Sequence, residues 1–222
     1  MSLFPRKQRP LKREEGALRD DRLYIVACDD TFAPQQYFGF FSFTRVHVIV
    51  IPTTDGSSAA RHVLNRLIEY RGQIQTQEND EYWLLLDADH FISESHRQTF
   101  LTAINDARQQ GFHISISKPC FELWLLLHRL PEENVRFLQD GTETSALLRT
   151  TLGRYSKNAL NGKNYPLSAV REAIIRAKRL DAGSGGGDIP SSNTTQVYRL
   201  WQSIIATIPA SQLPEELLGL DA

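Results

Sequence analysis

Four short apolar runs, LYIVAC (residues 23–28), VHVIVI (46–51), YWLLL (82–86) and FHISIS (112–117), alternate with stretches whose apolar residues recur at helical spacing. No other feature limits the fold as much. A strand with one wet face alternates apolar and polar residues, whereas a strand covered on both faces is apolar throughout. Strands joined through helices run parallel, because the crossover returns the chain to the same end of the sheet. The intervening segments fit that scheme. A helical stretch lies around 35–41, and 59–70 carries Val63, Leu64, Leu67 and Ile68 on one stripe. Phe100, Leu101 and Ile104 mark another helix ending near Gly111, and CFELWLLLH (120–128) reads as an apolar helix. The pattern predicts an α/β fold, a parallel sheet of about four strands covered by helices on both faces.

Beyond Leu130 the strands stop, and 144–152, 168–180 and 194–208 look helical. GSGGG at 183–187 separates the last two, as a plain linker or as a mobile lid near a site. The expected organisation is a disordered basic arm at 1–20, an α/β unit at 21–130, and a helical C-terminal part at 131–222 packed on it.

The chain has 222 residues and a formal charge of −1, with no apolar block approaching the roughly 20 residues of a membrane span. It shows no secretory leader pattern, and Cys28 and Cys120 form no ligand-spaced set. A reduced, cytoplasmic chain is the expectation. The near-neutral total hides local excesses. Arg6, Lys7, Arg9, Lys12 and Arg13 fall in the first 13 residues without an acid, and seven Lys or Arg between 154 and 179 face only Glu172. Such segments suit a polyanion such as nucleic acid, or are a solvated tail and a solvated helix face.

The acids occur where chemistry would need them. In an open parallel sheet, ligands bind beyond the carboxyl ends of the strands where the strand order reverses. WLLLDADHF (83–91) ends a strand with Asp87 and Asp89, whose side chains leave one face if the strand stays extended. Two carboxylates so close repel each other, and a hard divalent ion, Mg²⁺ or Mn²⁺, relieves this. Alternatively Asp89 caps the following helix and Asp87 is solvated. LYIVAC also runs into a pair of acids, Asp29 and Asp30. Glu122 begins an otherwise apolar helix, either as a dipole-favoured carboxylate or as a poorly hydrated acid or extra metal ligand. His128 is read as a core or surface histidine rather than a catalytic one, Phe121 and Trp124 as packing, and Lys118 as solvated or in contact with a phosphate.

At these residues the chain resembles the RloB-like family, which includes AbiLii abortive-infection proteins, and through it the Toprim-type nucleases. Ser117-Lys118-Pro119-Cys120-Phe121-Glu122-Leu123-Trp124, followed by leucines and His128, is similar to the family's Ser-Asn-Pro-Cys-Phe-Glu-Leu-Trp string. Asp87-Ala88-Asp89, Cys28, Tyr37-Phe38 and Thr194-Thr195-Gln196-Val197-Tyr198-Arg199-Leu200 agree more weakly. The resemblance implies a Toprim-like (Rossmann-like) sheet binding Mg²⁺ for phosphodiester chemistry. It implies a phage-defence effector that cuts DNA or RNA, often beside an ATPase partner. Carried over by position, Asp29 replaces the family's first glutamate, while Asp87 and Asp89 supply the D-x-D. The family's Cys-Glu-Gly-Glu-x-Thr-Glu-Pro is here Cys28-Asp29-Asp30-Thr31-Phe32-Ala33-Pro34-Gln35, so the glycine and glutamates are gone.

The expectation that follows is a Mg²⁺-dependent nuclease with Asp29, Asp87 and Asp89 on the metal and Asp30 in reserve. Glu122 positions water or a second ion, and Lys118, Lys157, Lys163 and Arg171 grip the phosphate backbone. Two other classes stay open. One is a catalytically degenerate module that senses or docks. The other is a D-x-D glycosyltransferase, which only LLLDADHF supports.

Overall fold

The computed structural model describes residues 19–30, 32–53, 58–88, 94–184 and 189–220, with 94–96 described as backbone only. Residues 1–18 of the arm expected at 1–20, Asp89, and 185–187 of the glycine-rich stretch lie outside the described residues.

The four apolar runs are strands: β1 Arg22–Cys28, β2 Val46–Val50, β3 Glu81–Asp87 and β4 His113–Lys118, all mutually parallel. Alternate residues serve opposite faces, as a pleated strand dictates. Tyr24, Val26, Cys28, Trp83 and Leu85 enter one core, and Ile25, Ala27, Leu84 and Leu86 enter the other. The second core is closed by α2 (Ala60–Gln73) and α3 (Glu94–Gln109). The first is closed by α1 (Phe32–Gly39), α4 (Glu122–Leu127), α6 (Leu167–Ala182) and α7 (Val197–Thr207), with α5 (Gly141–Leu152) contributing Leu148. Residues after 131 thus share a core with β1 and β3. Among the described residues, no helix is long and apolar enough to cross a membrane.

One expected element differs. Thr194 and Thr195, read as the start of a helix, form β5 and extend the sheet antiparallel to β4. Their β-branched side chains suit an extended chain, and the open edge of β4 offers partners. Ser117 Oγ and Thr195 Oγ1 lie 2.9 Å apart, Gln196 N donates to Ile116 O, and Ile116 N donates to Gln196 Oε1. Helix α7 begins only afterwards.

The strand order is β2-β1-β3-β4-β5. The chain leaves β1 toward one edge of the sheet and β3 toward the other. The reversal therefore falls between β1 and β3, where an α/β sheet opens a crevice at its carboxyl end. Cys28 pairs with Leu85, so Asp29, Asp30 and Asp87 stand at that opening.

Candidate functional site

The strand-end acids meet, though not symmetrically. Asp29 turns back across the crevice, and its Oδ2 accepts a hydrogen bond from the backbone N–H of Asp87 at 2.9 Å. Its Oδ1 accepts from the N–H of Asp30 at 3.2 Å. Asp87 itself is buried. Arg66, from α2, donates to the carbonyl of Cys28 at 2.8 Å and ties that helix to the end of β1. The Cys28 thiol has its pKa pushed well up by burial and by Asp29 and Asp30, which leaves it protonated and removes it as a nucleophile.

Asp30 faces the other way, toward α4. The ammonium of Lys157 stands 2.9 Å from Asp30 Oδ2 and 3.2 Å from Glu122 Oε1. The Tyr155 hydroxyl donates to the same Glu122 oxygen at 2.8 Å. Glu122 is 1% exposed, and its second oxygen, Oε2, is buried without a hydrogen-bond partner. An ionised carboxylate is costly to bury unless charge and donors compensate it, so Lys157 and Tyr155 are what permit Glu122 here. Burial opposes the charge on Lys157, but the Glu122 and Asp30 carboxylates outweigh it and raise the ammonium's pKa. The phenol of Tyr155 is likewise raised, by burial and by Glu122, and stays a donor.

The segment that delivers these two side chains is set by backbone geometry. Helix α5 ends on Gly153, whose φ of 73° lies in the left-handed region that glycine adopts without a Cβ penalty. Gln36 of α1 then holds the loop at two points. Its Nε2 donates to the carbonyl of Lys157 at 2.6 Å, and its Oε1 accepts from the N–H of Leu160 at 2.9 Å.

A divalent ion implied by the resemblance can be tested against this arrangement. The donor set is chemically right, since carboxylate oxygens suit a hard cation. The geometry is not. Among the described residues no three metal-binding side chains come together. Asp29 Oδ2 is engaged by the Asp87 N–H, and the cation between Asp30 and Glu122 is Lys157. As arranged, these residues do not fit the ion.

The other residues singled out from the sequence lie apart from this cluster. Lys118 donates to the carbonyls of Pro190 and Ser191, and Arg171 to those of Glu216 and Leu218. Both hold later chain segments in place. Lys163 is exposed in a short turn at Gly162–Asn164. Phe121 and Trp124 are buried in the core. His128 is 4% exposed; its Nδ1 meets the Trp124 carbonyl at 2.9 Å and its Nε2 the Tyr37 hydroxyl at 3.0 Å. Burial drops its pKa to about 3. Facing a carbonyl, Nδ1 carries the proton, so Nε2 accepts from Tyr37. Sequence reasoning missed Tyr155 and Gln36 altogether. No local pattern points to them, because what defines their roles is a partner far away in the chain.

A parallel α/β sheet with an acidic opening at its switch point, closed by a lysine and a tyrosine from a later helical segment, defines the class of protein. Within that class, the chain belongs to the RloB-like protein family, whose model matches residues 24–204. No curated protein and no solved structure matches the chain.

Proposed function

We propose that the protein is a nucleic-acid hydrolase that cleaves phosphodiester bonds of DNA or RNA in a Mg²⁺- or Mn²⁺-dependent reaction, as a phage-defence effector of Toprim-like design. One observation carries the reading: acids from three separate elements stand at the carboxyl end of the sheet, Asp29 against the Asp87 backbone at the opening between β1 and β3, and Asp30 linked to Glu122 through Lys157. Structural economy gives no reason to place four carboxylates there, since each raises the repulsion the others suffer. Membership in the RloB-like family adds support, and Asp89 supplies a fifth acid two residues beyond Asp87.

The chain's own residues have definable parts in this reading. Asp29 fixes the spacing of the two strand ends through the Asp87 N–H. Tyr155 keeps one Glu122 oxygen occupied, which leaves the other as an acceptor for a water or a substrate hydroxyl. Lys157 supplies positive charge where a phosphate would enter. An ATPase partner belongs to the same reading.

The test is cleavage of single-stranded and duplex DNA and RNA by the purified chain, with Mg²⁺ and with a chelator. Wild type is expected to cut only with the metal, and Asp87→Asn to fall to the chelator background. Equal cleavage by Asp87→Asn would overturn the proposal. A second reading, a module that binds or docks without turnover, is favoured by the salt-bridged state of the Asp30–Glu122 pair. Absence of cleavage in wild type, with retained binding of a partner ATPase, would establish it instead.

A further inference from the structure

Among the described residues, Phe137 is the most exposed large apolar side chain, at 81%. A single apolar residue in water is ordinary, but three features set this one apart. The turn that carries it is fixed. Val135 and Leu138 on either side are buried, and their carbonyls accept from the Asn193 side-chain amide at 3.0 and 2.7 Å. The ring is therefore held out by a braced turn. Two arginines accompany it: Arg136, its neighbour in the chain, and Arg179 in the last turn of α6, both exposed. Arg179 stands 3.7 Å from Glu132, too far for a hydrogen bond, and Arg136 has no hydrogen-bond or ion-pair partner among the described residues. Finally, the ring and both guanidinium groups border one hollow of about 210 Å³, which Leu180 and Asn193 also line. Pockets for a whole small-molecule ligand run from about 300 Å³ upward. This one suits a single unit of something longer.

The hollow lies at the same end of the sheet as the acids. Asn193 immediately precedes β5, whose Thr194 pairs with Lys118 at the carboxyl end of β4. The Lys118 ammonium donates to the carbonyls of Pro190 and Ser191 and fastens the approach to β5 there. In the strand order, β5 is two places from β3 and three from β1. At about 4.8 Å per strand that is roughly 10–15 Å along the sheet.

An aromatic face flanked by guanidinium groups matches what a single nucleic-acid strand offers, a bare base beside a phosphate. A duplex hides its base faces except at its ends, and an acidic peptide would use the arginines and leave the ring idle. The geometry points to a single-strand subsite at Arg136, Phe137 and Arg179, where one base stacks on the Phe137 ring and a flanking phosphate is met by the two arginines. The inference deepens the nucleic-acid reading above and rests on it for the run of the strand toward Asp29 and Asp87. A free nucleotide shares the chemistry, and the experiment separates the two.

The full chain is titrated into short dye-labelled DNA and RNA oligonucleotides of mixed sequence and followed by fluorescence anisotropy, with a chelator present so that no strand is cut. Wild type is expected to bind the single strand. Phe137→Ala, which leaves both cores untouched, is expected to bind it about 5- to 150-fold more weakly, the worth of one stacked base. Phe137→Leu stays weak because it has no π face, and Phe137→Trp recovers the affinity. Arg136→Gln and Arg179→Gln each lower the slope of log affinity against log salt by about 0.7. No single-strand binding by wild type, equal affinity in Phe137→Ala, or unchanged salt slopes in both arginine variants would each overturn the inference. A free nucleoside monophosphate bound as tightly as the oligonucleotide would also overturn it, by making the hollow a mononucleotide pocket. Binding that depends on Phe137 in a chain that never cleaves keeps the subsite and loses the nuclease; cleavage by a chain whose binding ignores Phe137 does the reverse.

Discussion

His128 offers a sharp test of the buried polar core, because its protonation is tied to folding. In the native protein its Nδ1–H is committed to the Trp124 carbonyl and its Nε2 to the Tyr37 hydroxyl, leaving no place for a second proton. Burial, the leading cause, lowers the pKa from 6.5 to about 3. The unfolded chain, at 6.5, therefore binds a proton at mildly acidic pH that the native chain refuses. Stability from this group is complete above the unfolded pKa and is lost progressively as pH falls toward the native one. One pH unit below 6.5, at pH 5.5, the unfolded state gains about 1.4 kcal/mol from His128 alone. That figure holds for any native pKa under about 4.5, because at pH 5.5 only the unfolded histidine titrates. For a chain of this size it corresponds to roughly 3–6 °C in Tm. The measurement is urea unfolding at pH 7.5 and 5.5 for wild type and for His128→Gln. Other titrating groups are common to both proteins and cancel in the difference. The variant is less stable overall, but its loss between the two pH values is expected to be smaller than wild type's by about 1.4 kcal/mol. Equal losses in the two proteins would refute a neutral, buried His128.

Two further outcomes bear on the packing around the site. Tyr155→Phe removes the hydroxyl that donates to Glu122 Oε1 and is expected to cost about 1–3 kcal/mol in chemical denaturation, the range for stranding a buried acceptor; no change would mean Lys157 alone satisfies that oxygen. Asp181 accepts from Thr194, Tyr198 and Arg199 and so ties α6 to β5 and α7. Burial works to raise its carboxyl pKa, but those donors outweigh burial and lower it below 3.8. Its stabilisation is thus whole above pH 3.8 and fades as pH drops through the native value. Asp181→Asn should lose about 1.5–3 kcal/mol at neutral pH and flatten the acid limb of the stability curve.

What could be read from the residue order follows from which interactions are local. Strands β1 and β3 were legible because burial on both faces leaves no polar alternation, and a run such as LYIVAC has few other uses. Their order in the sheet was not legible, because crossover rules fix handedness and not neighbours; the fold itself sets β1 beside β3 and brings Asp29, Asp30 and Asp87 to one opening. Thr194 and Thr195 were misread because two residues carry too little periodicity to declare a strand; the open edge of β4 decides their state. Lys157 looked like one more basic residue in a basic segment, suited to phosphate. Its actual partners lie 127 residues back at Asp30 and 35 back at Glu122, and Gln36 sets its approach. Nothing in the neighbouring residues encodes that. Asp29 shows the same limit at short range. Its type at a strand end was informative, but the capture of one oxygen by the Asp87 N–H depends on strand register.

The covering of the first core by α6 and α7, together with the late arrival of β5, has a consequence for how the molecule is made. A ribosome that has passed β4 and the start of α4 has produced the acids, yet Tyr155 and Lys157 are still to come, and the edge of β4 stays bare until residue 195 emerges. During that interval Asp30 and Glu122 lack the ammonium that serves both in the folded protein. The crevice is thus completed near the end of synthesis, and a prematurely terminated chain carries the charges of the centre without the counter-charge that lets it close.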